Sequence, residues 1–192
     1  MTRHGLGEEG RPQCPRCRAR TSTAHALECP GHAPALDWFW RVTEALGGST
    51  PGDRSVRRLL GGDGYPVGVT GGKRFVWDVF RLSFLRALYA GWVKAYLRAQ
   101  SGVAVHYDPR HTMAVAVRLV RWHILLDWRR CLERLEMVQR DGSVAFGKSP
   151  ARLKREFQAG WVAAGWARGE GAGMEVLFSL THPVHVDVMS TG

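Results

Sequence analysis

Three of the four cysteines fall between Cys14 and Cys29, in a polar segment too short to bury a core of its own. Such a piece orders only if something other than apolar burial holds it, and clustered thiols point to a metal ion. Cys14-Pro15-Arg16-Cys17 offers two thiolates on a tight turn whose backbone N–H groups can face the sulfurs. His25 follows, and Cys29 lies four positions further on, one turn away on the same face if residues 23–29 are helical. Ser22 or Thr23 suits the N-cap of that helix, and Pro30 suits its end. Three thiolates and one imidazole complete a tetrahedron with no position left for a reactive water, the make-up of a structural zinc site. Cys14, Cys17, His25 and Cys29 are therefore the expected ligands of a structural Zn2+, with His32 as the alternative histidine. Cys131, far along the chain, reads as an inert, half-buried thiol.

The remainder is patterned for helices. Leu36, Phe39, Trp40, Thr43 and Leu46 lie on one stripe of a helix from Ala33 that Gly47-Gly48 stops, and Asp53 suits the cap of a short helix through Leu60. A breaker-rich loop from Gly61 to Gly72 follows, without the Gly-Lys-Ser/Thr ending of a phosphate-binding loop. Trp77, Phe80, Phe84, Leu88 and Trp92 recur at helical spacing over 74–100. Met113, Val117, Val120, Ile124 and Trp128 do so over 109–137, with Leu119, Trp122 and Leu126 widening the stripe. That width predicts burial on more than one side, with Trp122 and Trp128 in the core. A third helix is expected from Pro150 to Ala167, then a hairpin pairing 174–180 with 184–188 across Thr181-His182-Pro183. The expected fold is mainly α: a small zinc knuckle, an antiparallel helical bundle and a C-terminal β-hairpin. Its divisions are a flexible lead-in over 1–13, the knuckle over 14–32, the helical domain over 33–170 and the hairpin or tail over 171–192.

Lys and Arg number 27 against 17 Asp and Glu, a formal charge of +10. A surplus of that size favours polyanionic partners, RNA or single-stranded DNA before a membrane. Arg16, Arg18 and Arg20 sit on or beside the knuckle, and Arg118 and Arg121 lie on the second long helix, where guanidinium groups match a phosphate backbone. The first residues contain no apolar segment of the export type, and no apolar run is long enough to span a bilayer. An intracellular location, nuclear or cytoplasmic, with no membrane partner, is expected.

The Cys14-Pro15-Arg16-Cys17 turn, the His25-Ala26-Leu27-Glu28-Cys29-Pro30 segment, and Trp38 and Trp40 resemble the C-terminal zinc-binding region of non-LTR (LINE-type) retrotransposon reverse transcriptases. The likeness continues more loosely through Phe84 to Tyr89, Leu126 to Arg130, Trp161, Gly165 and the Leu180 to Val184 tail, so it spans most of the chain. The family commonly has one more residue between its His and last Cys, and the shorter spacing here still fits one helical turn. The resemblance implies a polymerase domain upstream in the same element, and a role beside template RNA or target DNA. The chain itself has no adjacent Asp pair of the kind that holds two catalytic metal ions. No nucleophile–base pairing can be argued from the order of its residues either. The expectation is a non-catalytic, nucleic-acid-binding zinc module. The alternatives are a structural basic zinc protein of a ribonucleoprotein particle, or a decayed retrotransposon fragment without a present role.

Overall fold

A computed structural model describes residues 13–14, 16–19, 22–61, 65–103, 108–142, 147–170 and 173–181. The expected lead-in (except Gln13), Arg20 and the 184–188 strand lie outside these residues. The described chain is mainly helical, with a two-stranded antiparallel hairpin near its C-terminal end and a Cys/His cluster near its N-terminal end.

α1 (Thr23–Glu28) is capped by Ser22, whose hydroxyl accepts from the His25 N–H at 2.9 Å. Pro30–His32 forms one 3-10 turn leading into α2 (Ala33–Ala45). α3 (Val56–Leu60) takes Ser55 as its cap rather than Asp53; the Asp53 carboxylate instead accepts from the Ser55 N–H at 2.8 Å, fixing the turn before the helix. Two long helices follow, α4 (Gly72–Gln100) and α5 (Pro109–Asp141). α5 has a complete set of terminal signals: Asp108 caps it, Pro109 opens it, and Gly142 closes it in the left-handed region at φ 72. Gly91 of α4 meets Thr112 of α5, whereas Arg86 acts electrostatically on His123, so the two helices run antiparallel.

The core is built on rings. Phe39 of α2 stacks on Phe80 of α4 at 4.6 Å, and Trp38 meets Phe80 edge-on at 5.5 Å. From the other side Phe80 receives Trp166 and Phe178, which stack on each other at 4.1 Å. The apolar stripes of α2 and α4 thus converge with the chain's last described segment on a single centre.

Three further details depart from the sequence pattern. The third helix, α6 (Pro150–Phe157), does not continue to Ala167 but widens into a π-turn at Gln158–Val162. Gly72 faces this turn so closely that a Cβ there would lie 2.3 Å from the Ala159 carbonyl, and Gly165 at φ 71 then reverses the chain. The hairpin consequently forms earlier than expected. β1 (Ala167–Glu170) pairs with β2 (Gly173–Val176), so the predicted strand at 174–180 finds its partner upstream, across the 170/171 division. Finally, α5 is not buried on several sides: Trp122 is 54% exposed, Trp128 is half-buried, and the buried line is Ala116, Val117, Val120 and Ile124. α4, α2, α6 and β2 all pack on α5, and Trp122 lies on the face they leave open.

Candidate metal centre

The Cys14–Cys17 turn is closed twice by backbone hydrogen bonds, the Arg18 N–H donating to the Cys14 carbonyl at 2.8 Å and the Cys14 N–H to the Ala19 carbonyl at 2.7 Å. Closing it requires Arg18 to take the left-handed conformation at φ 61. The α1 helix then carries His25 back over the turn, with Cys29 just past its last residue. The four ligand atoms of Cys14, Cys17, His25 and Cys29 all lie within 4.8 Å of one another. Cys14 and Cys29 are buried; Cys17 and His25 are half-buried.

The spacings discriminate between chemistries. Cys14 Sγ lies 3.6 Å from Cys29 Sγ, and Cys29 Sγ lies 3.7 Å from Cys17 Sγ, far beyond a disulfide bond. Zinc–sulfur bonds of about 2.3 Å at tetrahedral angles place two sulfurs about 3.8 Å apart, close to both values. His25 Nε2 lies 3.2 Å from Cys17 Sγ, on the same small polyhedron. The arrangement is compatible with a zinc site.

Its electrostatics favour a cation. Burial pushes the Cys29 thiol up to about 12, with Cys14 and Cys17 acting in the same direction. Burial also raises Cys14, but the N–H groups of Arg16 and Cys17, followed by His25 and Cys29, outweigh it and bring that thiol down to about 7. The sulfurs therefore compete to ionise, and a dication between them stabilises every thiolate at once.

His32, the alternative ligand, is engaged elsewhere. It is wholly buried, its Nε2 donates to the Ala26 carbonyl at 2.8 Å, and its Nδ1 accepts from Arg16 Nη1 at 2.5 Å. Burial, with Arg16 and His25 adding, lowers it to about 4, so the ring is neutral and this pairing of donor and acceptor is its only consistent tautomer. Arg16 is accordingly turned inward. Its Nε and Nη2 are buried, its stem packs on Gly31, and Nη2 lies where it would touch a Cβ on Gly91 of α4. Arg16, expected from sequence among the phosphate contacts, is thus half-buried and links the knuckle to the bundle.

Arg18 is exposed, as are Arg118 and Arg121 on the outer face of α5, where Trp122 joins them. Neither Arg118 nor Arg121 forms an ion pair among the described residues. Cys131 is buried in α5, apart from the cluster. Sequence reasoning missed the Arg16–His32 pair and the exposure of Trp122. Gly31 and Gly91, which mark close approach to the arginine, were the available signal for the first. No helix among the described residues is long and apolar enough to cross a membrane. Comparison with models of protein families, with curated proteins and with solved structures yields no match.

Proposed function

We propose that this chain is a non-catalytic, zinc-ordered helical module that binds single-stranded nucleic acid inside the cell. The observation that carries the reading is the closed set of three sulfurs and one imidazole, with sulfur separations of 3.6 and 3.7 Å. Zn2+ there would be saturated by protein, so its chemistry would be structural: holding Cys14, Cys17, His25 and Cys29 together and, through them, the turn and α1. Three thiolates around a dication leave one net negative charge, which the neighbouring Arg16 guanidinium complements.

The nucleic-acid part rests on Arg118 and Arg121, exposed and without an ion pair among the described residues, in a chain of formal charge +10. Trp122 beside them supplies an exposed ring on which an unpaired base can stack. The resemblance to the C-terminal region of LINE-type reverse transcriptases agrees with this reading and would put a polymerase domain upstream in a longer polyprotein. The test is the salt dependence of binding to a single-stranded RNA oligonucleotide. Replacing Arg118 and Arg121 with Gln should lower the slope of log K against log salt by about 1.4, since each phosphate contact on a single strand contributes about 0.7. An unchanged slope and affinity would reduce the positive charge to a matter of solubility.

A further inference from the structure

A cavity of about 540 Å³ opens between the start of α4, the middle of α5, α6 and the π-turn, in a size range typical of small-molecule sites. Its walls are apolar. Trp161 and Phe157 are almost wholly buried, Leu153 is half-buried, and Phe75 stands edge-on to Trp161 at 5.6 Å with half its surface exposed. Cys131 lines the same cavity, its thiol pushed up by burial and then by the nearby Asp127 and Glu156 carboxylates.

Two carboxylates and two cations line the cavity. Both carboxylates are already engaged: Asp127 accepts from Trp161 Nε1 at 2.9 Å and from Arg130 Nη1 at 3.2 Å. Glu156 accepts from Lys148 Nζ at 2.6 Å on one oxygen and from Arg152 Nε at 3.1 Å on the other. Arg130 and Lys148 have further N–H groups, and their side chains are 66% and 49% exposed. The capacity left over is therefore mostly donor, on two cations above an apolar interior.

We propose that this cavity is a binding site for a small aromatic carboxylate, its ring against Phe75 and Trp161 and its anionic group on Arg130 and Lys148. The π-turn builds the site, because widening the helix after Phe157 is what brings Ala159 and Trp161 to the start of α4. The ring would cover the half of Phe75 that, among the described residues, is left open beside its contact with Trp161. This site shares no residue with the metal centre or with the Arg118–Trp122 face, so it stands whether or not those readings do.

Naphthoate titrated calorimetrically into the full chain tests it, with naphthalenemethanol as the uncharged twin. Saturable one-site binding of the acid is expected, with the alcohol roughly tenfold weaker or worse, as the loss of a charge-assisted hydrogen bond implies. Arg130→Gln combined with Lys148→Gln should weaken the acid by about the same factor and leave the alcohol unchanged, and Leu153→Trp should abolish both. If a variant fails to fold, the unsubstituted protein still decides. Naphthoate should slow amide hydrogen exchange over residues 153–162 of that protein. Absence of saturation, equal affinity for acid and alcohol, or unchanged exchange over 153–162 would each overturn the proposal.

Discussion

Replacing Arg16 with Ala separates a packing arginine from a phosphate-binding one. In the folded chain the substitution leaves the Nδ1 of a wholly buried His32 without its donor, a loss of about 1–3 kcal/mol for an unsatisfied buried acceptor. The arginine stem also packs on Gly31, where a Cβ would come within 3.4 Å of Arg16 Cδ, and losing the stem beyond Cβ adds about 1 kcal/mol. The expected cost is about 2–4 kcal/mol, paid as undocking of the knuckle rather than unfolding of α4 and α5. Arg18 is the internal control. Being exposed, it should cost less than about 0.5 kcal/mol as Ala, and Arg18→Gly should stabilise by up to about 1 kcal/mol by relieving the left-handed backbone. Urea unfolding gives the global value, and amide hydrogen exchange over residues 22–32 gives the local one. The reasoning fails if Arg16→Ala stays within about 0.5 kcal/mol of the parent, or if Arg18→Ala costs as much. A combined Arg16, Arg18 and Arg20 substitution is then no clean test of charge, because one of its members holds the fold together.

Two further expectations follow from burial. Trp77→Ala should destabilise by about 3–5 kcal/mol, whereas Trp122→Ala, on an exposed face, should stay below about 0.5 kcal/mol in the same denaturation assay. The His32 ring, lowered from 6.5 to about 4 chiefly by burial, makes stability fall with acid. As pH drops the unfolded chain takes up the proton first, so this contribution is intact above pH 6.5 and lost between pH 6.5 and 4, on the order of 3 kcal/mol in all. A His32 ring resonance that holds its neutral position down to pH 5.5 agrees with this; a midpoint near the ordinary histidine value would contradict it.

What the sequence made legible were features carried by local chemistry. Asp108-Pro109 and Gly142 bound α5 because capping and helix termination are decided within a few residues. The Cys14, Cys17, His25 and Cys29 set was readable for the same reason, since one turn and one short helix bring all four together. Trp122 was misplaced because an apolar stripe does not state which neighbours a helix has; the elements that pack on α5 leave that ring outside. The hairpin's partner and the π-turn depend on a tertiary contact, Gly72 against Ala159, that no periodicity reports. Arg16 looked like any solvated arginine because the groups that draw it inward, His32 and the Gly91–Thr112 contact, come from three separate elements.

X-ray absorption at the zinc edge on the protein purified from zinc-replete cells, with metal content measured on the same sample, addresses the central claim. One zinc per chain is expected, with three sulfur neighbours at about 2.3 Å and one nitrogen at about 2.0 Å, and Cys29→Ser should lower the sulfur count to two. A chain that retains no stoichiometric zinc, or a shell in which oxygen replaces sulfur in the unsubstituted protein, would contradict the account.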